Sequence, residues 1–248
     1  MANRAPAPAL NPSAGARWLP TLELAGSWQM ALDRWLLDQG RPAFRLYRWQ
    51  RPTLSLGFHQ QQWPSHWSSL AEQGVIDMVR RPSGGRAVLH AGDLTYALVW
   101  PGAPANRQEA YRLCCTWLQR AFAAMGEPLQ FGDQQALGSS GNCFALRTPA
   151  DLVNARGVKR IGNAQLWRQG NLLQHGSIPV NPPPELWQQL FGQSPTPLAF
   201  SSEELEGQLL AAARLALPAA LLPGSLEPLQ ESEWQQISRL LPELAPHR

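Results

Sequence analysis

The chain has 248 residues, 44% of them hydrophobic, and a formal net charge of +3. That length lets a chain bury roughly 70% or more of its unfolded surface, so one substantial core is expected, and so small a charge with no run of arginine excludes a dedicated nucleic-acid groove. Three cysteines, two of them adjacent at Cys114 and Cys115, exclude a disulfide framework; no CxxC pair offers metal spacing, and no apolar stretch is long enough to span a membrane.

Residues 1–20 hold several prolines and no long apolar core, and are predicted to be a flexible lead, not a signal peptide. Residues 21–248 are predicted to form a single domain. From Glu23 to Gln39, Leu24, Trp28, Ala31, Leu32, Trp35 and Leu36 fall on one helical face, and Gly40 stops the helix. "AFRLYRWQ" and "TLSLGF" alternate with a period near two and read as a strand pair around Arg51-Pro52. A short helix over Ser65 to Gln73 follows, then strands at "VIDMVRR", "RAVLH" and "DLTYALVW", separated by "PSGG" and by Ala91-Gly92. Helical spacing returns from Asn106 to Met125, with Cys114 and Cys115 as packing residues. Strands are predicted at Lys159 to Trp167 and Leu172 to Val180 around Gln169-Gly170, and a helix near Glu185. Ser201 and Glu204 form a capping box, and a last helix covers Glu231 to Leu241, so residues 201–248 are predicted to be a helical extension packed on the domain. Helices flanking six to eight strands with hairpin-like neighbours predict an α/β (α+β) domain around a mixed, largely antiparallel sheet.

Three polar, glycine-containing segments interrupt the apolar pattern: "RRPSGGRAVLH" from Arg80, "GSSGNCF" from Gly138 and "VKRIGNAQ" from Val158. Glycine beside an apolar strand permits close backbone approach to a ligand. GxxxxGK, GxGxxG after a first strand, GxSxG and HExxH are all absent, and His90 and His175 have no third ligand at metal spacing. Lys159 is the only lysine among the 21 basic side chains.

"RRPSGGRAVLHAGDLTYALV" and "VKRIGNAQLWRQGNLLQHGSIPV" resemble the two signatures of the biotin/lipoate protein ligase and acyltransferase superfamily, from about Glu23 to Phe191. The resemblance implies a catalytic domain like those of biotin synthetase and the class II aminoacyl-tRNA synthetases. Within the superfamily, lipoate-protein ligases use ATP to activate a free acid, whereas octanoyltransferases of the LipM type carry the acyl group on a cysteine. The wording "GGRAVLH", "LTY" and "LLQHGSI" is closer to the octanoyltransferases, and Cys143-Phe144 matches their nucleophile segment.

The resemblance thus implies Cys143 and Lys159 as catalytic residues. It implies Arg81, Ser83, Gly84, Gly85, His90, Gly162, Asn163, Ala164, His175 and Gly176 as substrate-binding. The implied donor is octanoyl-acyl carrier protein, and the acceptor is the lysine of a lipoyl domain, in glycine-cleavage H protein or a dehydrogenase E2. No metal or cofactor is expected, ATP and Mg entering only for a ligase, and the chain is expected to be a cytoplasmic monomer. An ATP-dependent lipoate-protein ligase and a non-catalytic binder of carrier domains are the alternatives. Two positions leave the pattern: Asn163 stands where these families usually have serine, and Ala91-Gly92-Asp93 replaces a more acidic segment with longer side chains.

Overall fold

The computed structural model describes residues 15–132 and 150–246. Two sheets organise it. The larger takes β1 (Ala16–Trp18), β2 (Leu22–Leu24), β3 (Ala43–Trp49), β7 (Asp93–Pro101), β8 (Leu129–Phe131), β9 (Leu152–Asn154), β10 (Lys159–Arg168), β11 (Asn171–Pro179) and β12 (Pro223–Leu226), in the order β12-β1-β3-β7-β11-β10-β9-β8 with β2 alongside β3. The smaller has the order β5-β4-β6, from β4 (Thr53–Leu56), β5 (Asp77–Arg80) and β6 (Val88–His90). Pairing is mixed, as predicted: β3-β7-β11-β10-β9-β8 is antiparallel throughout, while β1 lies parallel to both β3 and β12, and β4 lies parallel to β5.

The central strands are hydrophobic on both faces because both faces are covered. Leu94, Tyr96 and Leu98 of β7 point to a core with Cys115, Trp117, Leu118 and Phe122 of α3 (Arg107–Ala124) and Leu205 and Leu209 of α5 (Ser202–Ala216). The alternate residues Ala97 and Val99 join Met30, Leu32 and Leu36 of α1 (Gly26–Gln39) and Ile237 of α6 (Glu231–Ser238) on the other side. A third cluster packs Leu54, Leu56 and Leu89 of the small sheet on Trp67 of α2 (Ser65–Glu72) and Trp187 of α4 (Pro184–Phe191).

Four expectations are corrected. The "AFRLYRWQ" and "TLSLGF" strands form no hairpin, because both edges of β3 are taken by β1, β2 and β7, and Arg51-Pro52 carries the chain into the other sheet. The first helix starts at Gly26, not Glu23, since Leu22–Leu24 pairs with Tyr47, Arg48 and Trp49. The flexible lead does not reach residue 20, and the residues after 201 are not all helical: Ala16–Trp18 and Pro223–Leu226 pair side by side as strands of the large sheet. Arg17 then bonds both carboxylate oxygens of Glu233, at 2.7 and 2.8 Å, and Arg41 both of Glu227, each at 2.7 Å, tying β1 and the turn before β3 to the segment that follows β12.

Candidate active site

A cavity of about 440 Å³, its open mouth included, lies where the two sheets meet. The small sheet contributes Ser55 and His90, the large sheet Tyr47, Trp49, Thr95, Asn163, His175 and Ser177, and α1 contributes Met30. Nine of the ten positions read as substrate-binding line it: Arg81, Gly84, Gly85, His90, Gly162, Asn163, Ala164, His175 and Gly176. The tenth, Ser83, is fully buried behind the wall and reaches it through His175.

Each histidine is held between a carboxylate and a serine. His175 Nδ1 lies 2.8 Å from Asp33 Oδ2 and its Nε2 2.5 Å from Ser83 Oγ. His90 Nδ1 lies 2.8 Å from Asp93 Oδ2 and its Nε2 2.9 Å from Ser55 Oγ. A ring whose Nδ1 faces a carboxylate carries its proton there, which leaves the Nε2 of a neutral ring to accept from the serine hydroxyl. Burial pushes the His90 imidazole below its ordinary range and outweighs the opposing pull of Asp93. Trp49 stacks on that ring at 3.8 Å and donates from its indole N–H to Thr95 Oγ1 at 2.8 Å.

Asp33 is the main residue the sequence pattern missed. It sits wholly buried on α1, and burial opposes its charge; the Arg45 guanidinium and the His175 hydrogen bond overcome that and hold its carboxyl below the usual range. Arg45 Nη2 approaches Asp33 Oδ1 at 2.6 Å, and Nη1 donates to Gln29 Oε1 at 2.6 Å. Gln29 and Asp33 are four residues apart, so they share a helix face. Arg34 and Asp38 show the same spacing in this helix, so the pattern alone does not single out Gln29 and Asp33.

The "PSGG" loop is shaped by Arg81. Its guanidinium donates to Gly84 O at 2.9 Å, Arg86 O at 2.6 Å and Ser55 O at 2.8 Å, so the side chain holds the cavity wall together from within. Gly85 has φ +96°, and a Cβ there would press on Arg81 Nη2. At Gly84, by contrast, a Cβ would meet open space.

Lys159 does not line the cavity. It lies at the start of β10 with Nζ 3.0 Å from Asp151 Oδ2, both side chains 3% exposed. Cys143 and Phe144 lie outside the described residues. Cys114 and Cys115 are buried on α3, as read from the sequence, and burial pushes the Cys115 thiol up to about 12, so it stays protonated and unreactive. Among the described residues no group of three or more His, Cys, Asp or Glu is placed to hold a metal ion, and no helix is long and apolar enough to cross a membrane.

Residues 26–200 match the lipoyl protein ligase A/B catalytic domain. Over 186 residues the chain is 36% identical to octanoyltransferase LipM of Kyrpidia tusciae, covering 68% of this chain and 67% of that protein. It is 33% identical over 201 residues to octanoyltransferase LipM of an Exiguobacterium species, covering 73% and 72%. In fold it matches a lipoate protein ligase from Thermoplasma acidophilum with bound lipoic acid, with TM-score 0.77 at 17% identity over 92% of this chain and 95% of that one. A lipoate-protein ligase A bound with ATP matches with TM-score 0.76, also at 17% identity, over 92% and 95%.

Proposed function

The chain belongs to the lipoyl protein ligase A/B catalytic-domain family, and from that premise we propose that it is an octanoyltransferase that carries its acyl group as a thioester on Cys143. The observation that carries this reading is the identity of 36% to an octanoyltransferase over two thirds of both chains. The likeness to ATP-binding ligases, at 17% identity, extends to the fold alone.

The donor is octanoyl-acyl carrier protein. The Cys143 thiolate attacks its thioester carbonyl; a new C–S bond forms, the carrier's C–S bond breaks, and the carrier leaves as a thiol after taking a proton. Because one thioester replaces another, no ATP is consumed. The amine of a lipoyl-domain lysine, in glycine-cleavage H protein or a dehydrogenase E2, then attacks the acyl-enzyme. A C–N bond forms, the C–S bond to Cys143 breaks, and the amine's proton passes to the departing sulfur.

Both steps build negative charge on the carbonyl oxygen, and Lys159 supplies the positive charge that stabilises it. The octanoyl chain occupies the cavity beside Met30, Tyr47, Trp49 and Val88. About seven buried carbons at about 0.8 kcal/mol each contribute on the order of 5 kcal/mol, enough to reject a short acyl group but worth only one methylene step between neighbouring lengths.

One incubation with octanoyl-acyl carrier protein and an apo lipoyl domain, with and without ATP and read by intact mass, tests the reading. Transfer without ATP, with a transient enzyme adduct that hydroxylamine removes and that C143S never forms, is expected. Transfer that requires ATP and free acid would assign a ligase instead.

A further inference from the structure

Asn163 is the residue of "VKRIGNAQ" that departs from the resembled pattern, and its surroundings say what the longer side chain does. On β10 it stands opposite Gly176 of β11. A Cβ at Gly176 would overlap Asn163 Oδ1 and the Tyr96 ring, so the glycine is what leaves room for the carboxamide to lie across the strand. The Tyr96 hydroxyl donates to Asn163 Oδ1 at 2.6 Å and itself accepts from Gln174 Nε2 at 2.8 Å. Gln174 is held in turn by Gln165 Nε2, which donates to Gln174 Oε1 at 2.8 Å. This chain fixes which end of the Asn163 amide faces which way: Nδ2 points to the Ala150 carbonyl and donates to it at 2.8 Å.

Ala150 precedes Asp151, whose carboxylate receives Lys159 Nζ at 3.0 Å. The Ala150–Asp151 pair is therefore gripped twice from one strand, by Asn163 through its backbone and by Lys159 through its side chain. Between Lys159 and Ile161 the pairing of β10 with β9 shifts register, an irregularity of the kind that re-aims a side chain. Serine at 163 is shorter by one bond and would have to accept from the Tyr96 hydroxyl and donate to Ala150 O through a single oxygen, whereas the carboxamide does so with two separate atoms.

We propose that Asn163 is a positioning residue for acyl transfer: by holding Ala150 to β10 it fixes Asp151, and through Asp151 the resting place of the Lys159 ammonium. The proposal rests on the reading that Lys159 stabilises the developing oxyanion.

The test compares N163A, N163S, D151N and D151N/N163A in steady-state transfer from octanoyl-acyl carrier protein to an apo lipoyl domain, with C143S alongside. Loss of one buried hydrogen bond that acts on the transition state lowers kcat about tenfold in N163A, with KM for the donor within about twofold. N163S falls between N163A and the wild type. Since Asn163 acts through Asp151, the double variant is no slower than D151N alone, whereas independent effects would multiply. Thermal midpoints show whether each variant is folded, and N163S serves in place of N163A if the alanine variant is not. A wild-type kcat in the position-163 variant, a loss confined to KM, or multiplying effects in the double variant overturns the proposal. Wild-type transfer by C143S overturns the thioester reading instead, independently of what Asn163 does.

Discussion

Lys159 and His90 have opposite relations to charge. The ammonium of Lys159 is buried against Asp151, and a guanidinium in its place would bring a wider, planar group into a site with 3% exposure. K159R is therefore expected to lower kcat by about 10²-fold, the scale of losing one donor to an oxyanion, while circular dichroism stays that of the wild type. His90 is kept neutral by burial, so the unfolded chain binds its proton more readily than the folded one. Its contribution to stability is full above the unfolded value of 6.5 and falls as pH drops below it towards the lower folded value. Urea unfolding across this range is expected to show that decline in the wild type and a flatter profile in H90Q; equal slopes would exclude the histidine as its source. Asp33 acts in a lower window, because its carboxyl is held below the ordinary aspartate value of 3.8 despite burial. At neutral pH, D33N leaves the buried Arg45 without its counter-charge, and a loss of about 3 kcal/mol or more is expected in the same unfolding assay. A change under 1 kcal/mol would mean that Gln29 and backbone oxygens alone can hold that guanidinium.

Whole elements explain why Asp33 escaped the pattern. Helix α1 is buried on most of its circumference, between the large sheet on one side and α6 on another, so it has little polar face against which a functional carboxylate would stand out. The two strands at the chain's ends were missed for a related reason: three and four residues give no measurable alternation, and each exists by pairing with the other. Truncation after Leu222 is expected to uncover the β1 edge and release Arg17 and Arg41 from Glu233 and Glu227. Size-exclusion chromatography should then show higher oligomers; a monodisperse, active truncated chain would show that β12 and α6 are dispensable. Helix boundaries fared better where a side chain enforces them. The Ser201 and Glu204 capping box and the left-handed Gly40 both stand where the sequence puts them, because each is a local bargain between neighbouring residues.

At the scale of the molecule, the cavity is made by two sheets that the chain crosses between at Arg51-Pro52 and again at Ala91-Gly92. Those crossings bring His90 of the small sheet and His175 of the large one onto a single cavity, although 84 residues separate them in the sequence. The sequence by itself determined the mixed sheet with flanking helices, the family resemblance and the segments that line the cavity, since glycine-rich turns, capping residues and two-residue alternation are local chemistry. Only the tertiary structure decided that Arg81 braces the wall from inside, that Asp33 and Asp93 stand behind the two histidines, and that Lys159 rests on Asp151. These pairings are selected by which buried charges and donors must satisfy one another: Asp33 meets His175 across 142 positions, and even the near pairs, Asp93 three residues from His90 and Asp151 eight from Lys159, depend on the strands that bring their side chains together. Asn163 belongs to both accounts: the sequence marked it as a departure, and the opposing Gly176 gives the physical reason it fits.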